Sequence, residues 1–186
     1  MCLAGALAVA LAAGAPQPAG PPPGLPPAAG RTVLRGEPAP SPPAFVEVRG
    51  RFGAPVVPVA ADADGALEVP PSPDTVGWWA LGARPGAAEG TVLLAGHVDS
   101  RDRGLGAFAG LYAVRPGARA VVTGADGHRH AYVIVARRAY RKEQLPRDLF
   151  SGAGRARLAL VTCAGAYDRA RHRYAQNLVL FGEPDR

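Results

Sequence analysis

The chain has 186 residues, with 21 Lys or Arg against 15 Asp or Glu, and its formal net charge is +6. Its 24 glycines and 20 prolines far exceed the usual combined share of about 12%, which argues against a mainly helical protein. The two cysteines, Cys2 and Cys163, exclude a disulfide-stapled scaffold and a four-cysteine zinc site. No basic run is interleaved with aromatic residues, so we expect no nucleic-acid partner.

The amino terminus has the pattern of an export signal. Residues 3–13 are apolar and uncharged. A helix of that length spans about 16 Å, too short for a hydrocarbon core of about 30 Å. The length matches the apolar region of a secretory signal, although no positive charge precedes it. We predict that residues 1–14 are an export signal or part of a membrane anchor.

A proline-rich stretch follows this signal. Residues 15–43 contain 11 prolines, a composition that favours polyproline II conformation and cannot build a hydrophobic core. We predict a disordered spacer here, followed by a folded domain at residues 44–183. With the export signal, this arrangement predicts a protein of the cell membrane whose folded domain lies on the extracellular side.

The folded part has the pattern of short strands. Apolar or alternating runs recur between Gly, Pro and Asp residues, which favours an all-β barrel or sandwich. The segment Ala125–Gly127 predicts a tight hairpin, and Gly106–Ala113 has helical spacing. The predicted strands are Phe45–Val48, Val56–Val59, Leu67–Val69, Thr91–Ala95, Ala120–Thr123, Ala131–Ala136, Arg157–Thr162 and Asn177–Phe181.

His97 and Cys163 are the residues best suited to chemistry. Each follows an apolar run, so each is predicted at a strand end, where a rigid support exposes a side chain. Two strand ends of a barrel can meet at one rim, which makes Cys163 a candidate nucleophile and His97 its candidate base. A free thiol has a pKa near 8.5, and a nearby imidazolium stabilises the scarce thiolate.

Three arginines, Arg169, Arg171 and Arg173, follow Cys163 in the chain. A guanidinium is always charged and rich in donors, so it can stabilise the oxyanion that develops during acyl transfer. From these residues alone, purely structural alternatives remain open. A cysteine on an apolar strand is commonly a packed core residue, and an arginine cluster is commonly a solvated loop.

Five segments, in order along the chain, resemble sortases. The resemblance covers nearly all of residues 45–183 and is strongest to the actinobacterial class F sortases or their class E relatives. It implies an eight-stranded sortase-type β-barrel with short helices in its connections, and a cysteine transpeptidase activity. The segments are DTVGWW (74–79), RPG (84–86), AGHVDSRDRGLGAFAGL (95–111), LALVTCAGAYD (158–168) and RYAQNLVLF (173–181).

The resemblance also implies the catalytic residues. His97 matches the catalytic histidine, and Cys163 matches the nucleophile. The register of the arginine varies among relatives, and Ala175 and Gln176 stand at positions where an arginine is expected. Arg173 shares strand parity with Ala175 and is our candidate, whereas Arg171, of the same parity, is the alternate.

The implied reaction has two halves. Cys163 attacks the threonine carbonyl of an LPxTG-like sorting signal, and His97 protonates the departing glycine amine. An amine of the cell envelope, such as a peptidoglycan precursor, then resolves the thioester. The resemblance implies no metal or other cofactor, and the sequence does not identify the substrate-binding residues.

Three alternatives remain open from the sequence. A metal-dependent hydrolase would use His97, Asp99, Cys163 and His172, although their spacing is not typical of a metal site. A non-catalytic surface domain would keep a sortase-like barrel without the reaction. A hydrolase would cut the sorting signal without transfer, because water would reach the thioester before an amine does.

Overall fold

The computed structural model describes residues 40–61 and 67–185. The predicted export signal at residues 1–14 and nearly all of the predicted spacer at residues 15–43 lie outside the described residues. Among the helices in the described ranges, none has the length and apolar character needed to span a bilayer.

The described residues form ten strands and three short 3₁₀ helices. The helices are Ala107–Ala113, Lys142–Gln144 and Arg147–Phe150. The strands are β1 (Pro43–Val48), β2 (Phe52–Val59), β3 (Val76–Trp79), β4 (Thr91–Ala95), β5 (Asp99–Ser100), β6 (Gly104–Leu105), β7 (Arg119–Gly124), β8 (Arg129–Arg141), β9 (Arg157–Asp168) and β10 (Arg173–Pro184).

Eight of these strands close into a barrel within the described ranges, in the order β1-β2-β3-β4-β9-β10-β8-β7. The pairs β2/β3 and β4/β9 are parallel, and the other pairs of the barrel are antiparallel. Strands β5 and β6 form a separate two-stranded ribbon. The predicted all-β fold, an eight-stranded barrel with short helices in its connections, is confirmed.

Seven of the eight predicted segments lie inside observed strands. The exception is Leu67–Val69, where Leu67 makes only an isolated bridge to Ala61. The hairpin between β7 and β8 is confirmed, and Gly127 adopts the positive φ of +81° that its turn requires. The predicted helix is observed as the 3₁₀ helix Ala107–Ala113, whose buried residues close one end of the inner core.

The inner core fills the barrel. Alternate residues of each strand point inward, as the period of a β-strand requires. Phe108 of the first 3₁₀ helix is fully buried in this core and packs edge-to-face on Phe52, with ring centroids 5.2 Å apart. The fully buried inward side chains of the strands include Val46, Val76, Leu94, Val122, Ile134, Leu158 and Leu160.

A second, smaller core lies on the outer face of β4, β9 and β10. The outward-facing residues of these strands are apolar, and the connection from β8 to β9 covers them with Leu145, Leu149 and Phe150. Leu149 of this connection is fully buried, and Phe150 packs edge-to-face on Trp79 at 5.8 Å. The outward residues of this outer core are Leu93, Ala95, Ala159, Val161 and Val179.

We expect Leu149→Ala to lower the free energy of unfolding by about 2–5 kcal/mol, because it opens a cavity in the outer core. Leu149 is 0% exposed, whereas Leu81 is 75% exposed. Leu81→Ala is therefore a matched control and should change stability by less than about 0.5 kcal/mol. Urea unfolding followed by tryptophan fluorescence measures both, and equal losses would contradict the outer core.

Candidate active site

The parallel pairing of β4 with β9 brings His97 and Cys163 to the same end of the two strands, where both line one cavity. Ala95 lies opposite Val161 in this pairing, and His97 and Cys163 each stand two residues further along their chains. Gly96 extends the pairing, because its N–H donates to the carbonyl of Val161 at 3.0 Å. Residues two apart on a strand share a face, so Cys163 continues the outward row of β9.

Thr162 and Gly96 fasten this junction on the opposite face. The buried hydroxyl of Thr162 donates to the carbonyl of Gly96 at 2.8 Å. A Cβ at Gly96 would stand 3.0 Å from the ring of Phe108, so a larger residue here would require that ring to shift. Thr162 and Gly96, which precede Cys163 and His97, therefore set the distance between these two backbone segments.

Cys163 lies inside a strand rather than at a strand end. Strand β9 continues to Asp168 because β10 pairs with it, with Asn177 opposite Cys163. The prediction that Cys163 stands at the end of a strand is therefore wrong. Cys163 is half-buried rather than sealed, so a paired backbone holds it while part of the residue stays exposed.

Two cavities meet at Cys163. The first, which we call the polar cavity, measures about 250 Å³ and is lined by His97, Asp99 and Tyr174 among others. The second, which we call the apolar groove, measures about 480 Å³, and the side chains that line it include Leu67, Val69, Leu145, Phe150 and Val161. Cys163, Lys142 and Arg173 line both.

His97 is held by its ring and by its backbone. Its Nε2 lies 2.9 Å from the carbonyl oxygen of Pro70. A carbonyl only accepts hydrogen bonds, so Nε2 carries a proton and Nδ1 is the nitrogen that can exchange one. The carbonyl of His97 accepts from the N–H of Phe108 at 3.0 Å, which fixes the loop that follows β4.

Lys142 contacts the cysteine and was not identified from the sequence. Its Nζ lies 3.1 Å from the Sγ of Cys163. It begins the 3₁₀ helix that follows β8, so the contact depends on the pairing of β8, β10 and β9 and not on proximity in the chain. The one available signal was composition, because Lys142 is the only lysine of the chain.

The arginines take different positions. Arg173 begins β10 and lines both cavities, and its Nη2 lies 3.9 Å from the Oε1 of Glu143. Arg171 lines neither cavity in the described ranges and pairs instead with Asp168 at 2.9 Å. That guanidinium holds the pKa of Asp168 below its usual value. Ala175 lies where the pairing of β10 with β9 shifts register.

Two tyrosines form hydrogen bonds at the site. The hydroxyl of Tyr174 donates to Asp99, and this bond raises the pKa of Tyr174 to about 12. The hydroxyl of Tyr112 donates to the backbone carbonyl of Cys163 at 3.1 Å, and burial raises the pKa of Tyr112. Tyr174 thereby ties β10 to β5, and Tyr112 ties the first 3₁₀ helix to β9.

The residues of the metal-site alternative have other partners. Asp99 accepts from Tyr174, and the Nδ1 of His172 lies 3.0 Å from Arg101. In residues 40–61 and 67–185, no group of three or more His, Cys, Asp or Glu side chains is arranged to hold a metal ion.

A family model described as a sortase domain matches residues 50–185 of the chain. No curated protein sequence matches the chain significantly.

Solved structures share the fold. Sortase C1 of Streptococcus suis is 16% identical with a TM-score of 0.59, over 78% of this chain and 74% of its own. A lid mutant of sortase A from Corynebacterium diphtheriae is 14% identical with a TM-score of 0.60, over 81% and 73%. Sortase C-1 of Actinomyces oris is 17% identical with a TM-score of 0.60, over 76% and 73%.

The bond between Tyr174 and Asp99 predicts a pH dependence. Because the pKa of Tyr174 is raised, its stabilisation is fully present below the ordinary tyrosine value of about 10 and is lost as the pH rises through about 12. We expect Tyr174→Phe to lower the melting temperature at neutral pH and to match the wild type above pH 12.

Asp99→Ala removes both the hydrogen-bond acceptor and the negative charge that raise the pKa of Tyr174. The pKa of Tyr174 should then return toward about 10, as followed by tyrosinate absorbance against Tyr174→Phe. A titration near 12 that persists in Asp99→Ala would rule out Asp99 as its cause.

Proposed function

This chain belongs to the sortase family of cysteine transpeptidases, and we propose that it cleaves an LPxTG-like sorting signal and transfers the acyl part to an amine of the cell envelope. The observation that carries the proposal is the polar cavity, which His97, Cys163 and Arg173 line together. A nucleophile, a proton carrier and a permanent cation are the groups that acyl transfer requires.

In the first half of the proposed reaction, the thiolate of Cys163 attacks the threonine carbonyl, and a carbon–sulfur bond forms. The peptide carbon–nitrogen bond then breaks, and His97 gives its Nδ1 proton to the departing glycine amine. In the second half, an incoming amine attacks the thioester and His97 takes up its proton. The carbon–sulfur bond breaks and the thiolate of Cys163 returns.

Arg173 supplies the charge for the oxyanion in this proposal. Its contact with Glu143 is long, at 3.9 Å, and both side chains are more than half exposed. An exposed pair of this kind contributes little, so the guanidinium can turn toward a substrate at small cost.

The apolar groove is our candidate for the binding site of the peptide. Leu67, Val69, Leu145 and Phe150 line it, and it leads to Cys163. The leucine and proline of an LPxTG-like signal match such a lining, and they precede the threonine that must reach the sulfur.

We also propose a sortase class and a cellular location for this protein. The segments at residues 95–111 and 158–168 support class F or its class E relatives. The apolar run within residues 1–14 and the prolines of residues 15–43 support a membrane anchor, with the catalytic domain on the extracellular side. Fractionation of cells expressing the full chain and a chain without residues 1–14 tests the anchor, which predicts membrane association only for the full chain.

We expect a covalent acyl-enzyme on Cys163. Mass spectrometry of the full chain with an LPxTG-type peptide and an amine reports thioester, hydrolysis product and transfer product together. Cys163→Ala should abolish all three, whereas Cys2→Ala, the matched control, should retain them. Cleavage that survives in Cys163→Ala would refute the nucleophile. A hydrolysis product with no transfer product at saturating amine would favour the hydrolase alternative.

We expect Arg173→Ala to lower kcat by about 10²–10³-fold with little change in KM, because the cation acts on charge that develops only in the transition state. Arg171→Ala is the matched control, since Arg171 pairs with Asp168 away from both cavities. Steady-state cleavage kinetics distinguish the two. A large loss in Arg171→Ala alone would transfer the role to that residue.

A further inference from the structure

We propose that Lys142 is a further catalytic residue, whose ammonium holds the sulfur of Cys163 as a thiolate by direct contact. Its place in catalysis rests on the function proposed above, whereas its effect on the thiol does not. The observation is the distance of 3.1 Å between the Nζ of Lys142 and the Sγ of Cys163.

The barrel accounts for the contact. Cys163 of β9 lies opposite Asn177 of β10, and Asn177 lies opposite Tyr140 of β8, so the three residues form one row across the sheet. Lys142 stands two residues beyond Tyr140, where β8 has just ended. A lysine side chain is long enough to cross from there to the sulfur, and the partly buried contact weakens screening by solvent.

Among the described residues, the ammonium has no competing carboxylate. Eight ion pairs join described side chains, and none of them includes Lys142. The neighbouring Glu143 lies instead near Arg173. An ammonium has hydrogen-bond donors and no acceptor. Its contact with the sulfur is therefore stronger when the sulfur is a thiolate than when it is a thiol.

The contact separates two tasks that a cysteine–histidine pair otherwise combines. In a pair alone, the thiolate is stabilised only while the imidazole is protonated, so the same proton governs the nucleophile and the acid. A lysine charge does not depend on the state of His97. The thiolate is then held by Lys142, and His97 is left to carry the proton between the amines.

The reaction of Cys163 with iodoacetamide measures thiolate without any peptide. We would measure it at neutral pH in the full chain carrying Cys2→Ala, so that Cys163 is the single thiol. Lys142→Met, which keeps the length and removes the charge, should slow alkylation about tenfold. Lys142→Arg should restore most of the rate. Arg141→Met, which removes the adjacent cation, is the matched control and should react like the parent.

Two outcomes would overturn the proposal. One is alkylation of Lys142→Met at the parental rate, and the other is equal slowing in Lys142→Met and Arg141→Met. His97→Asn gives a further test. If Lys142 holds the thiolate, Cys163 should keep most of its reactivity toward iodoacetamide in this variant. Lys142→Gln repeats the test if the methionine variant does not fold, as judged by thermal unfolding.

Peptide cleavage by the same variants separates this proposal from the function. Slow alkylation in Lys142→Met with no cleavage of sorting peptides by the parent chain would support the role of Lys142 and refute the sortase substrate. Cleavage by the parent with unchanged alkylation in Lys142→Met would refute the role of Lys142 alone. Under both proposals, Lys142→Met slows alkylation and acyl-enzyme formation by a similar factor.

Discussion

The parallel pairing of β4 with β9 is the constraint on which the site depends. It joins segments 66 residues apart in the chain, as the bond from Thr162 to Gly96 illustrates. Parallel strands of this kind are stable when both faces are covered, and here the barrel interior covers one face and the β8–β9 connection covers the other. The outer core is therefore the reason that His97 and Cys163 are held in register on a face that opens to solvent.

Local patterns in the sequence were sufficient for most strands and insufficient for pairing. Apolar runs bounded by turn residues identified β4, whose predicted bounds, Thr91–Ala95, are those observed. Strand β3 was missed because its four residues include a glycine, and it exists through its partners β2 and β4. Leu67–Val69 has the same local pattern without such partners. The continuation of β9 beyond Thr162 likewise depends on β10, which no local signal shows.

Likewise, residue type was enough to propose some residues of the candidate site, whereas others depend on tertiary contacts. Cys163 and His97 could be proposed from the sequence because few residue types support nucleophilic catalysis. Strand parity did not separate Arg173 from Arg171, since both have the same parity. What separates them is Asp168, which accepts from the backbone N–H groups of Ala170 and Arg171 and binds the guanidinium of Arg171 inside the turn. Lys142 depends on three neighbouring strands, so its contact is not visible in the sequence.

The charged groups around the sulfur of Cys163 have distinct roles in the proposed mechanism. In the proposed reaction, the thiolate, the oxyanion and the returning thiolate are anions that form in turn at the site, and a fixed cation would stabilise each without changing its own protonation. A group that both gives and accepts a proton is needed to serve the departing and incoming amines, and His97, whose Nε2 is already held by the carbonyl of Pro70, is suited to that task. In the proposed mechanism, Lys142 and Arg173 therefore hold charge while His97 moves the proton. A site that assigns these tasks to different side chains keeps its nucleophile ready in either state of the acid.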